Sequence, residues 1–282
     1  MRRAYLVGAW LAVRCWPLVA ALWVVNVAFG AGFFVASSVW LNHALDDSLP
    51  TRTLLWDLDP NVFIDLYYRH DTGFLMLFGI ACFMGPVYLL VWCWLHGGII
   101  FQTYSKGRMR LADAFLRATE VFPRMLQLLV IAAVMLALLT GVVGGAAWCA
   151  LAATLAYPSE IGWYWIGAAA GAVWLVGYVF LVAIHDHARI RTCASGEGAI
   201  RAYWWAVRFV IRDGEHALLL AVVLNVTALV VWAAFQAVSE TLRPDKGLGM
   251  VGILVWGELF LFVRMVLRVW FFAAQGDLQS PA

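Results

Sequence analysis

Long apolar stretches and short polar segments alternate along the whole chain. Six stretches run from about Pro17 to Val39, Gly73 to Phe101, Met125 to Leu155, Ile161 to Ile184, Ala217 to Phe235 and Leu248 to Phe272. Each is long enough to cross roughly 30 Å of hydrocarbon, which takes about 20 residues of helix. Ahead of the first, third and fifth stretches the pattern changes to a two-faced helical period, at about Arg2 to Trp16, Leu111 to Arg124 and Ala199 to Arg212. In the second segment Arg110, Asp113, Arg117, Glu120 and Arg124 share one face, and Leu111, Phe115, Ala118 and Phe122 the other. In the third, Arg201, Arg208 and Arg212 lie opposite Ile200, Tyr203, Trp204, Val207 and Ile211. The reading is an all-α polytopic membrane protein: six transmembrane helices as three helical hairpins, each preceded by an interfacial amphipathic helix. The chain forms a single integral membrane domain of approximate repeats 1–105, 106–195 and 196–282.

Composition agrees with this class. Of 282 residues 64% are hydrophobic and 13% charged, against about half and about a quarter in soluble domains. The net charge of +2 says little until its distribution is read. Arg2, Arg3 and Arg14 open the chain; Lys106, Arg108, Arg110, Arg117 and Arg124 follow the second stretch, and Arg189, Arg191, Arg201, Arg208 and Arg212 the fourth. The alternate segments hold only Arg52, Arg69, Arg243 and Lys246, and Leu41 to Thr72 carries six aspartates. By the excess of Lys and Arg in cytoplasmic loops, both termini are expected on the cytoplasmic side. The first apolar run continues past Phe34, beyond the 7–15 residues of a signal-peptide core, and reads as an uncleaved span.

The amphipathic segments suit the headgroup plane, with rings and aliphatic side chains in the acyl boundary and Arg110, Arg117, Arg124, Arg201, Arg208 and Arg212 on anionic lipid headgroups. In the acidic loop, Asp59 and Pro60 open a further helix whose apolar face is Val62, Phe63, Leu66 and Tyr67.

Three features bear on chemistry. Glu258 lies in the middle of the sixth stretch. A central carboxylate costs about 2.5–3.5 kcal/mol on insertion scales, so it is expected to face the bundle interior, neutral or paired with polar groups such as Asn26, Asn225 or Thr227. Arg264 and Arg268, nearer the end of that stretch, are expected to snorkel to the interface. His185, Asp186, His187 and Arg189 form a charged elbow where the fourth stretch meets its amphipathic helix. The two histidines sit on nearly opposite helix faces and share no metal, whereas Asp186 and Arg189 pair one turn apart. His96 is expected to be another interfacial polar group. Gly167, Gly171, Gly141, Gly144 and Gly145 offer small packing surfaces, and Pro86 a kink. The five cysteines show no disulfide or zinc spacing and read as packing residues.

The stretch from His185 to Arg191, followed by Ala199 to Arg212, resembles a feature of uncharacterised bacterial six-span membrane proteins, in which an Asp-aromatic-Ala-Arg-Ile segment leads from a span into an amphipathic helix. Arg268 to Gln275 is similar to their closing segment. The layout also resembles the membrane domain associated with glycerophosphodiester phosphodiesterases, but His187 stands where that pattern has an aromatic, and the catalytic domain is absent. The resemblance implies a membrane-seated accessory role and no hydrolase activity. With no phosphate loop, nucleophile–base set or metal motif in the sequence, no catalytic, cofactor or metal residue is assigned. Partners are expected to be membrane lipids and membrane proteins, with no nucleic acid. The leading expectation is a non-enzymatic accessory, scaffold or envelope lipid-associated protein; the alternative is a small transporter using Glu258 as its coupling carboxylate.

Overall fold

The computed structural model describes residues 2–45, 68, 71–154, 160–212, 214–241 and 247–279. Among these residues the elements are helices: α1 (Arg2–Arg14), α2 (Trp16–Leu45), α3 (Asp71–Tyr104), α4 (Leu111–Thr154), α5 (Glu160–Ser195), α6 (Ala199–Arg212), α7 (Gly214–Thr241) and α8 (Gly247–Gln279). Five, α2, α3, α4, α5 and α7, are long and apolar enough to cross a membrane, which makes this a helical, multi-pass membrane protein. Helix α8 contains the sixth predicted stretch but is not among the five; Glu258, Arg264 and Arg268 interrupt its apolar length. The loop helix expected from Asp59 lies outside the described residues.

Local chemistry sets the helix boundaries. Pro17 lacks an amide hydrogen to continue α1, so the chain turns at Cys15, whose carbonyl accepts from the Leu18 and Val19 amides. Helix α3 closes when the Gly107 amide donates to the Gln102 carbonyl and the Lys106 amide to that of Thr103, with Lys106 left-handed at φ 54°. Helix α5 continues through the predicted elbow to Ser195 and ends at Gly196, φ 66°. The second amphipathic segment is not a separate helix: α4 runs unbroken through Pro123 for 44 residues. At Pro17 the chain also turns, whereas at Pro123 the flanking helix continues on both sides.

The chain forms two compact units. One comprises Ala21–Trp92, and the other the first 20 residues with Cys93–Ala282. In the smaller unit α2 and the first part of α3 meet antiparallel. Tyr88 donates to Asn26 Oδ1 at 2.7 Å, its ring sits edge-on to Phe29 at 5.3 Å, and Met84 lies beside Gly32.

In the larger unit the fully buried side chains gather at one end, where the predicted basic segments converge. Leu11, Leu95, Ile99, Met125, Leu128, Ile190, Val210, Leu220, Leu224 and Phe272 are all buried there. Each amphipathic segment docks on the end of a long helix. α1 lies on α8: Trp270 Nε1 donates to the Tyr5 carbonyl at 2.8 Å, the two rings are 4.7 Å apart, and Gly8 faces Ala274. The start of α4 lies on the end of α3, with Ala118 against Gly97, Phe115 against Gly98 and Trp94, and Thr119 accepting from Trp94 Nε1. α6 lies on the end of α5, with Phe209 edge-on to His187 at 4.9 Å and Arg191 over Trp205 at 4.8 Å. The buried stripe in each is of small residues: Ala4 and Ala12 flanking Gly8, Ala114 and Ala118, then Ala199, Ala202 and Ala206.

Away from that end the long helices bury little. In the most apolar stretch of each of the five, at most 17% of the residues are buried, so most of their apolar surface is left to face lipid. Polar side chains there bond their own helix carbonyls: Asn225 to Ala221, Thr227 to Val223 and Ser239 to Phe235. Helices α4 and α5 touch antiparallel, Trp174 Nε1 donating to Thr140 and Leu139 packing on Gly177. Helices α7 and α8 do so through Phe235 between Trp256 and Phe260.

The glycines that permit close approach are therefore Gly8, Gly97, Gly98 and Gly177. Those expected from sequence, Gly141, Gly144, Gly145, Gly167 and Gly171, face open space among the described residues. A Cβ at Gly8 would come within 2.8 Å of Ala274 Cβ. Gly8→Val is expected to destabilise the protein by about 1–3 kcal/mol through overpacking, whereas Gly167→Ala should cost nothing. Thermal unfolding of the two variants in nanodiscs measures the contrast.

Candidate functional site: a buried polar core and its cavity

At the packed end of the larger unit, α3, α5 and α8 bring polar side chains into a buried core. His96, Gln102 and Thr103 come from α3, His185, Asp186, His187, Arg189 and Thr192 from α5, and Gln275 from α8; all are buried. The half-buried Arg268 of α8 joins them: its Nη2 is 2.8 Å and its Nε 3.2 Å from His96 Nε2, and its guanidinium lies over the Phe272 ring. His96 Nε2, facing a guanidinium that can only donate, must be the acceptor, which assigns the neutral ring with its proton on Nδ1. Phe272 in turn sits edge-on to the His96 ring at 5.2 Å.

Arg189 is the most enclosed cation. Its Nη1 lies 3.4 Å from Asp186 Oδ1, with both side chains under 10% exposed. Cys93, Cys193 and Arg268 lie within electrostatic range of it. His185 lies within range of both arginines, and neither of its ring nitrogens has a hydrogen-bond partner among the described residues. The Thr192 hydroxyl and the Gln275 and Gln102 side-chain oxygens share that condition. Two guanidinium groups against the Asp186 carboxylate leave this core with positive charge in excess. Its groups orient and attract; no nucleophile and base stand in hydrogen-bond contact there, and among the described residues no three His, Cys, Asp or Glu gather as metal ligands.

Against this core lies a cavity of about 170 Å3. Its walls are Leu11 of α1, Ile100 and Thr103 of α3, Ile190 of α5, and Phe272 and Gly276 of α8. Lys106, just past α3, and Asp277, near the end of α8, supply its charged groups. Phe272 separates the cavity from Arg268 and His96. Three further cavities lie elsewhere: one in the smaller unit beside Asn26 and Tyr88, one between α7 and α8 at Phe235 and Trp256, and one at Gln127 and Arg201.

The predicted site residues divide accordingly. His185, Asp186, His187 and Arg189 do come together, but buried inside a continuing helix and not at an exposed elbow. Of these four, His187 meets α6, through Phe209, while Gln279 of α8 lies 2.6 Å from its Nδ1. Glu258 is corrected: it does not face inward but lies on the exposed side of α8, along with Val251, Leu254, Val255 and Leu259. Asn225 is bonded to its own helix, Thr227 lies 3.2 Å from the Tyr5 hydroxyl, and Asn26 belongs to the smaller unit. Arg268 turns inward, whereas Arg264 stays exposed. His96 is not interfacial but 1% exposed. Sequence reasoning missed the Arg268–His96 contact; its one signal was a histidine followed by two glycines inside an apolar run.

Of the predicted headgroup residues, Arg110, Arg117, Arg201, Arg208 and Arg212 are exposed, and Arg208 covers the Trp204 ring at 5.1 Å. Arg124 differs: its Nη1 donates to the Gly196 carbonyl at 2.6 Å, tying α4 to the end of α5. Beside it, Arg191 and Glu197 pair at 2.7 Å across the same turn, and that hydrogen bond holds the Glu197 carboxyl below its usual range. Burial pushes the Cys15 thiol up against the opposing pull of Arg14, so it stays a thiol and packs.

Asp186→Ala leaves Arg189 as an uncompensated buried charge and is expected to cost about 3–5 kcal/mol. Glu197→Gln breaks a half-exposed pair and should cost under about 1 kcal/mol. A carboxyl whose folded pKa is depressed stabilises above its unfolded pKa and loses that contribution as pH falls through the folded one. The difference between wild type and Glu197→Gln should therefore be present at pH 7 and fade as pH drops through and below the usual carboxylate range; melting curves across pH read it out.

Comparison with protein-family models, with curated proteins and with solved structures finds no match to this chain.

Proposed function

We propose that this is a non-enzymatic inner-membrane protein of six crossings in three helical hairpins. Its termini and packed basic end would lie on the cytoplasmic side, where it serves as an accessory, scaffold or lipid-associated subunit. The observation that carries the reading is the contrast between the two levels of the larger unit: a locked, cation-rich end and long helices whose apolar sides stay uncovered. A bundle that leaves its crossings open to lipid is built to hold a surface in place and to meet other membrane components.

Several details support it. The antiparallel contacts of α2 with α3, α4 with α5 and α7 with α8 are those that hairpins require. Helix α8 covers roughly 25 Å between Gly247 and Arg264 at 1.5 Å per residue, enough for a sixth crossing with Arg264 reaching the interface. α1 turns Leu6, Trp10 and Val13 outward, and α6 turns out Ile200, Trp204 and Ile211. These stripes suit the acyl boundary, with Arg201, Arg208 and Arg212 alongside for anionic headgroups. Glu258 lines none of the four cavities described above, which favours this reading over a transporter coupled through that carboxylate.

Extraction into polymer-bounded native discs is expected to recover the protein with anionic phospholipid and with at least one other membrane protein. Cysteine placed at Lys106 or Arg201 should resist impermeant reagents applied to intact cells. The reading fails if those positions label from outside, or if the purified protein alone drives solute uptake into liposomes and Glu258→Gln abolishes it.

A further inference from the structure

The cavity at the ends of α3, α5 and α8 has a mainly apolar wall, to which Thr103 and Tyr104 add hydroxyls, and carries two charges of opposite sign. Lys106 contributes an ammonium group and Asp277 a carboxylate, and the remaining lining includes Leu11, Ile100, Ile190 and Phe272. This combination selects a ligand that is itself zwitterionic and has an apolar portion. A purely anionic group would meet Asp277 unfavourably, and a purely cationic one would meet Lys106. Behind the wall, Arg268 and Arg189 exceed Asp186 in charge and bias the interior toward the anionic part of the ligand.

Depth identifies the ligand further. Leu11, which lines the cavity, belongs to α1, whose opposite side exposes Leu6, Trp10 and Val13. If that side rests in the acyl boundary, as the proposed function holds, the cavity lies at headgroup level and its apolar wall faces the first carbons of a lipid. We infer that this cavity binds the headgroup of a phosphoethanolamine-type phospholipid, Lys106 receiving the phosphate and Asp277 the ammonium. The inference rests on the lipid-associated reading above and names its ligand. A primary ammonium can donate to a carboxylate, which a quaternary one cannot; the latter is held instead by aromatic cages. About 170 Å3 accommodates such a headgroup while leaving the acyl chains outside.

The test uses the full chain in non-ionic detergent, titrated calorimetrically with four probes: dihexanoyl phosphatidylethanolamine, its phosphatidylcholine and phosphatidylglycerol counterparts, and chain-free glycerophosphoethanolamine. The ethanolamine lipid should bind roughly tenfold more tightly than the other two lipids, and Asp277→Asn should erase that preference. Lys106→Gln, at an exposed position, should weaken all three lipids by a similar factor. Ile100→Trp fills the cavity and should abolish binding. Its melting temperature controls for misfolding, and the two polar variants carry the test if it does not fold. The assignment is overturned if wild type binds the three lipids alike, or if Asp277→Asn and Lys106→Gln keep wild-type affinity for the ethanolamine lipid. Equal binding of glycerophosphoethanolamine would uphold the zwitterion site but overturn its lipid source, and the lipid-associated reading with it. Absence of binding by any probe, in protein that still co-purifies with anionic phospholipid, would sink the cavity assignment alone.

Discussion

Close approach of backbones at small residues holds the packed end of the larger unit together. Gly8 against Ala274, Gly97 against Ala118 and Gly98 against Phe115 bring amphipathic segments onto helix ends at distances that a single added carbon would violate. In a membrane, apolar surface alone gives helices no preference for one another over lipid, so specific association comes from tight packing and hydrogen bonds. Both are concentrated here: the Trp270–Tyr5 and Trp94–Thr119 bonds sit beside the glycines that permit them. The polar core depends on this closure, because Arg189 and Asp186 stay buried only while the surrounding helix ends remain in contact.

Burying these polar groups is costly. A buried donor or acceptor without a partner forfeits about 1–3 kcal/mol, and His185 alone presents two such nitrogens. An apolar replacement would be simpler to pack. Retaining two arginines, three histidines and an aspartate gives the end of the bundle a fixed electrostatic sign and a defined geometry. The adjoining cavity, with Phe272 as the shared wall, lies within the field of those charges.

The long apolar helices were legible in the sequence because period and length are collective signals, spread over twenty or more residues. Five appear as read, most of them within helices longer than the apolar stretches themselves. The faces of the amphipathic segments were read only in part. Ile200, Trp204 and Ile211 are exposed as their size suggested, but the surface that docks on the protein is made of Ala199, Ala202, Ala206 and Val210, and alanine is unremarkable in a chain this apolar. The elbow at His185 was located correctly along the sequence and misjudged in environment, since the helix goes on for ten residues and other elements cover it. The Arg268–His96 contact joins positions 172 residues apart, and no local pattern encodes it. Glu258 failed for a related reason. A lone carboxylate implies an interior only if the neighbouring helices enclose one, and enclosure belongs to tertiary packing.

The unbroken course of α4 has a mechanical consequence. Its charged opening turns, pinned to Gly97 and Gly98 and linked through Arg124 to the Gly196 carbonyl, run into the apolar length as one helix, with Pro123 at the join. A bilayer that thins or thickens obliges a crossing helix to tilt. In this helix that tilt is transmitted to the clamp at its foot, so strain in the hydrocarbon layer reaches the junction of α3, α4 and α5 directly. The same continuity that makes the clamp firm couples it to membrane thickness.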